Sequence, residues 1–149
     1  PAYGVSNAVP LECGSAGGGS ATYGSGHGGG LIWIEAADRV VVDGTLTACG
    51  NNGGQYGSGG AGGGICVTAK RFGGGGALLA NGGNGGSDNR NGGGGGGRIL
   101  VARVVDRENA VATSVKGGLD SETPVVYPGQ DGTVVWQWLP PAGTILILR

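Results

Sequence analysis

Methionine is absent from these 149 residues, histidine occurs once, and only 13% of the chain is charged. Nine Lys and Arg face ten Asp and Glu, leaving a net charge of −1. With no basic stripe, nucleic acid is not an expected partner. Weak self-repulsion instead tolerates assembly. The longest purely apolar runs, such as Ile145–Leu148, fall far short of the roughly 20 residues of a spanning helix, so no membrane span is expected. Helix formers are few, and Val, Ile, Thr and Trp fill the apolar blocks, which favours strands. No Asn-x-Ser/Thr sequon occurs, so N-glycosylation is not expected. The chain starts at Pro1 with no initiator Met or leader, as expected of a processed product or a fragment.

What the chain does have is glycine: 39 residues, with only 6 prolines. The glycines follow no strict every-third-residue period through the chain, which excludes collagen. Hydrophobic residues make up 38% and are gathered into blocks, which argues against disorder. A short phrase recurs three times. It runs Gly28-Gly29-Gly30-Leu31-Ile32-Trp33-Ile34, Gly62-Gly63-Gly64-Ile65-Cys66-Val67-Thr68, and Gly95-Gly96-Gly97-Arg98-Ile99-Leu100-Val101. Related phrases close the blocks: Thr47-Ala48-Cys49-Gly50, Leu79-Ala80-Asn81-Gly82 and, loosely, Thr113–Gly117, with a degenerate copy at Leu11-Glu12-Cys13-Gly14.

The first two blocks each read as two short strands. Leu31–Ala36 and Arg39–Thr47 flank Ala37-Asp38, and Ile65–Phe72 and Ala77–Ala80 flank four glycines. Repeats of this length with β-type blocks predict an all-β chain, a β-solenoid of stacked parallel strands, with a glycine-rich β-sandwich as the alternative. Aligning the three phrases puts Ile32, Cys66 and Ile99 in one column and Trp33, Val67 and Leu100 in the next. Apolar residues on both strand faces imply two covered faces. The glycine excursions are either flexible loops or ordered tracts whose backbones pack closely for want of Cβ atoms. The repeat region is expected over residues 1–118. Residues 119–149 supply further strands of the same domain, with Thr133–Leu139 and Thr144–Leu148 forming a hairpin around Pro140-Pro141-Ala142-Gly143.

The glycine run Gly92–Gly97 followed by Arg98-Ile99, the segment Ala80-Asn81-Gly82-Gly83-Asn84-Gly85-Gly86, and Asp131-Gly132-Thr133-Val134 resemble a glycine-rich repeat region of very large secreted and surface proteins of bacteria and of protists, including stramenopiles. The resemblance covers roughly residues 14–118, and residues 131–135 more weakly. This chain departs from it at Cys49, where that repeat usually has Asn, and over 98–118, where charges replace the usual pattern. The resemblance implies an extracellular architectural role and transfers no catalytic residue.

Few residues suggest chemistry. His27 sits in a glycine tract with no Cys, Asp or Glu at ligand spacing, so neither a metal site nor a Ser–His–Asp arrangement is expected. No glycine run ends in Gly-Lys-Ser/Thr, which argues against a phosphate loop. Asp120, Glu122 and Asp131 lack the spacing of calcium-binding β-rolls. Thr45-Leu46-Thr47 resembles one ice-binding step, and one step makes no array. Cys13 and Cys49 occupy the same repeat phrase, so a disulfide between them is expected, with Cys66 buried or paired with another chain; the alternative is three buried free thiols. Trp33, Trp136 and Trp138 are either a sugar-stacking platform or core and interface anchors. Thr144–Leu148 is apolar on both faces, so Ile145, Leu146, Ile147 and Leu148 join Trp136 and Trp138 as interface candidates. The sequence therefore points to a non-enzymatic, cofactor-free extracellular or cell-surface protein. Its expected role is that of a filament, appendage or surface-layer subunit whose partners are copies of itself, the alternative being an adhesin module that binds glycans.

Overall fold

Strand-forming blocks alternate with glycine tracts along the chain, and the computed structural model shows how both are used. It describes residues 9, 12–19, 24–87, 91–120, 127–141 and 143. Among these there is no helix. Four strands, β1 (Leu31–Val41), β3 (Gly64–Gly74), β5 (Arg98–Asn109) and β7 (Thr133–Trp138), form one sheet in the order β1-β3-β5-β7. Three short strands, β2 (Thr45–Thr47), β4 (Ala77–Leu79) and β6 (Ala112–Ser114), form a second in the order β2-β4-β6. Every pairing is parallel.

The core lies between the sheets. Ile65, Val67, Phe72, Ile99 and Val101 of the larger sheet meet Leu78 and Ala80, all at most 1% exposed. Each large side chain buried this way contributes about 1.5–3 kcal/mol. Ile32, Ile34, Leu46, Val134 and Trp136 extend the cluster to its margins. Both faces of the inner strands are covered: Cys66 is 1% exposed and Leu100 6%. On the edge strand β1 burial alternates, leaving Trp33 and Glu35 exposed.

Two sequence expectations need correction. The columns are Ile32–Ile65–Ile99–Val134 and Trp33–Cys66–Leu100–Val135, not the alignment that put Ile32 with Cys66 and Trp33 with Val67. Gly64 is the reason. It stands opposite Leu31 and Arg98 as the first strand residue, so matching glycine to glycine slips the middle copy by one and turns each side chain to the wrong face. Second, Ala37-Asp38 is not a turn; β1 runs through it with a register shift, and the chain turns after Val41. Beyond the repeat region expected over 1–118, Thr133–Trp138 joins the same sheet as its fourth strand. Its expected hairpin partner, Thr144–Leu148 with Ile145, Leu146, Ile147 and Leu148, lies outside the described residues.

The glycine tracts are ordered. Those at 24–30, 57–63, 92–97 and 127–132 lead into β1, β3, β5 and β7; those at 48–54, 80–86 and 115–120 leave β2, β4 and β6. Within tract 57–63 the N–H groups sort by threes. Ser58 and Ala61 donate to Gly18 and Ser15, Gly59 and Gly62 to Gly92 and Gly95, and Gly60 and Gly63 to Asn51 and Ala48, all at 2.8–3.0 Å. A chain that sends every third donor in one direction has three residues per turn, the repeat of polyproline II. Among the described glycines only Gly74 and Gly143 have positive φ. The tract glycines therefore serve closeness, not left-handed turns: a Cβ on Gly60, Gly63, Gly83 or Gly94 would stand 1.9–2.1 Å from a neighbouring backbone oxygen.

Candidate assembly interface

The two edges of the larger sheet are the first candidate surface. Gly64, Arg98 and Thr133 each donate to the strand or tract before them, to Gly30, Gly63 and Gly97. Alternation along a parallel ladder then turns the backbone groups of Leu31, Trp33 and Glu35 on β1 away from the sheet, and likewise those of Val134, Trp136 and Trp138 on β7. Among the described residues no strand pairs with either edge. Edge strands are usually defended by charge or proline. β7, Thr-Val-Val-Trp-Gln-Trp, carries neither, and β1 begins Leu-Ile-Trp-Ile. Trp33 is 48% exposed and Trp138 60%.

Trp136 and Trp138 have different roles although they share a strand face. Trp136 meets Phe72 edge to face, with centroids 5.8 Å apart, and packs against the core. The Arg103 guanidinium lies 5.0 Å from the Trp136 ring centre and 4.0 Å from that of Trp138, a cation–π stack at the sheet margin. Arg103 is 6% exposed and its charge is met by Asp106, through Nε to Oδ1 at 3.0 Å and Nη2 to Oδ2 at 3.2 Å. A buried cation thus holds the outer indole upright on the edge strand. The sequence reading missed Arg103, and nothing in its local pattern distinguishes it.

The tracts that leave the smaller sheet carry a second set of contacts. Asn84 N–H donates to Asn52 Oδ1 (2.8 Å), and Leu119 N–H to Asn84 Oδ1 (2.9 Å). Lys116 N–H donates to Asn81 Oδ1 (2.8 Å). Cys49 occupies the matching place before Asn81, whose N–H reaches its Sγ at 3.3 Å. Each side-chain oxygen takes an N–H from the next copy, and thiol sulfur is the weaker acceptor. Cys49→Asn is therefore expected to stabilise the fold by about 0.5–1.5 kcal/mol, read as a rise in melting temperature. The spacing of three in Asn81-x-x-Asn84 and Cys49-x-x-Asn52 was the signal available in sequence.

The structure holds Cys13, Cys49 and Cys66 as free thiols, so the expected Cys13–Cys49 bridge is not formed. The tract of Cys13 bonds to tracts 24–30 and 57–63, whereas that of Cys49 bonds to 24–30, 57–63 and 80–86. The two share no bond among the described residues, so a shared phrase did not mean neighbouring positions. Burial pushes the Cys66 thiol up from its ordinary value; the Glu35 carboxylate adds to this, and a hydrogen bond with Thr68 opposes it. A thiol whose pKa is raised by folding stabilises the fold below its unfolded pKa, and that contribution is lost as pH climbs through the folded pKa. Alkylation at neutral pH should accordingly label exposed Cys13 first, Cys49 later and Cys66 only on unfolding, as peptide mapping against time would show.

The remaining polar candidates are structural or solvated. His27 is exposed, and its carbonyl accepts from Asn51 N–H. The Asp120 carboxylate takes Tyr127 N–H, and Asp131 Oδ1 takes Gly117 N–H at 2.8 Å; Glu122 lies outside the described residues. A cleft of about 700 Å³ at the far end of β1, β3 and β5 is bordered by Arg39, Arg71, Asp106, Arg107 and Glu108, with Arg71 paired to Asp38. Among the described residues no three His, Cys, Asp or Glu gather as metal ligands, and no helix is long and apolar enough to cross a membrane. Compared with known proteins, the chain matches no family model, no curated protein and no solved structure.

Proposed function

We propose that the chain is an extracellular or cell-surface structural protein, the subunit of a filament, appendage or surface layer built by head-to-tail stacking. In this reading the two sheets are walls of a β-solenoid, and the glycine tracts are its third side. The observation that carries it is the pair of open edges. Among the described residues nothing pairs with the outer edge of β7, which is uncharged and largely apolar, and β1 begins with the same kind of column, so Val134 of one copy can stand over Ile32 of the next as Ile99 stands over Ile65 within the chain. A heterologous contact of this kind does not close on itself and propagates a fibre. The resemblance to repeat regions of large surface proteins agrees with this setting. Negative-stain microscopy and sedimentation of the purified chain test it: filaments or large oligomers that grow with concentration are expected, and a chain that stays monomeric at high concentration would overturn the reading.

One observation favours a second reading, an adhesin module. The Trp138 indole is 60% exposed and held from behind by Arg103, a surface on which a pyranose ring can stack. Retention on immobilised glycans that is lost in Trp138→Ala would support it.

A further inference from the structure

Segment 12–19 lies against tracts 24–30 and 57–63 through four backbone bonds. Gly14 and Gly17 donate to Gly29 and Gly26, and Ser58 and Ala61 donate to Gly18 and Ser15. One repeat further along, the same four positions recur. Gly29 and Gly26 become Gly62 and Gly59; Ala61 and Ser58 become Gly95 and Gly92, following the register that sets Leu31 beside Gly64 and Gly64 beside Arg98. There, among the described residues, no segment lies against them. Among the described residues neither the Gly59 and Gly62 carbonyls nor the Gly92 and Gly95 N–H groups have a hydrogen-bond partner. Gly92 and Gly95 are part-exposed, while Gly59 and Gly62 are buried beside them. Space is open on the donor side: a Cβ on Gly95 would meet nothing closer than Gln130 O at 3.7 Å.

We propose that this flank, between tracts 57–63 and 92–97, is a docking groove for an extended glycine-bearing segment of another polypeptide, bound as segment 12–19 is bound one repeat earlier. The bound segment shows what the occupant needs. Gly14 and Gly17 face inward, where a Cβ would stand 2.2 Å from Ala61 O and Ser58 O, and Ser15 and Ala16 between them are tolerated. The motif is Gly-x-x-Gly in three-residue-per-turn form. Tract 127–132 keeps the same economy, with Gly129 and Gly132 inward and Gln130 and Asp131 between. No stretch of this chain outside the described residues contains Gly-x-x-Gly, so the motif is one that another polypeptide would bring. The groove runs along the flank and not at the strand edges, so it stands or falls independently of head-to-tail stacking.

The test is photo-crosslinking with a capped peptide of residues 12–19, Cys13 replaced by Ser and a diazirine side chain in place of Ala16. It works on monomers and filaments alike. Saturable labelling mapped to residues 59–62 and 92–95 is expected, and it should vanish for the same peptide carrying Gly14→Ala and Gly17→Ala. Gly95→Pro is the matching change in the protein. Proline suits this backbone and removes only an unpaired N–H, so the melting temperature should hold while labelling falls about tenfold. Absent labelling, equal labelling by the alanine peptide, or a melting temperature lowered by Gly95→Pro would each overturn the groove.

Discussion

Gly94→Ala and Gly96→Ala will each lower the melting temperature sharply, and Gly95→Ala between them will not. A Cβ on Gly94 would stand 2.0 Å from Gly60 O, and one on Gly96 1.9 Å from Val115 O and 2.6 Å from Gly132 N. These neighbours are backbone held on both sides by other tracts, so relief means separating tracts. Overpacking against a movable side chain typically costs 1–3 kcal/mol, and here at least the upper end, about 3 kcal/mol, is expected for each. For a chain of this size that is a fall of roughly 6–12 °C. At Gly95 the nearest atom is 3.7 Å away and φ is not positive, so alanine fits. Its smaller unfolded-state entropy should leave stability unchanged or raise it by about 0.4–1 kcal/mol. Thermal melts followed by circular dichroism read all three. Equal losses at 94, 95 and 96 would mean that the three-residue sorting of faces is wrong, and three neutral variants would mean that the tracts are loose.

In the proposed head-to-tail stack, Glu35→Pro is expected to abolish filaments while leaving the chain folded. The Glu35 N–H points away from β3, so proline removes no bond within the sheet, and an edge strand accepts proline where its N–H faces outward. The side chain lost is exposed, so a stability change of less than about 1 kcal/mol is expected. What proline does remove is a donor that an incoming β7 needs, and its ring stands where that strand would lie. Assembly depends on many copies of this contact, so the effect is all or none on filament length. Sedimentation should give the monomer and circular dichroism the wild-type spectrum. Filaments of normal length from Glu35→Pro would exclude β1 as the joining edge.

Much of this arrangement could be read from residue order. The alternation of apolar blocks and glycine runs marked an all-β chain, and β3 and β4 fall close to where Ile65–Phe72 and Ala77–Ala80 were expected. Register could not be read, because Gly64 is indistinguishable in sequence from the tract glycines before it and only pairing with Leu31 makes it a strand residue. The faces of the tracts were hidden for a similar reason. A run such as Gly92–Gly97 carries no side chain to mark which positions point inward, whereas Ser58-x-x-Ala61 and Asn81-x-x-Asn84 mark it by their spacing. Arg103 was out of reach because its partners Trp136 and Trp138 lie on another strand and meet it only through the β5–β7 register. The cysteine phrases misled because likeness of phrase says which element follows, not which layer an element joins.

The ladder bonds of the sheets, and tract bonds such as those that Gly59 and Gly62 give to Gly92 and Gly95, run from one repeat copy to the next, whereas others, such as Asn51 to His27, stay within one copy. A pull along that direction therefore stretches all the bonds between two copies together, and the load is shared across the cross-section rather than released one bond at a time. Strength is then set by whichever junction has the fewest bridges. Between β3 and β5 the larger sheet, the smaller sheet and the tracts all cross; between β5 and β7 the smaller sheet has no fourth strand among the described residues. Under tension the chain should yield first at the step between Arg98–Asn109 and Thr133–Trp138, a mechanical fuse at the junction with the fewest bridges.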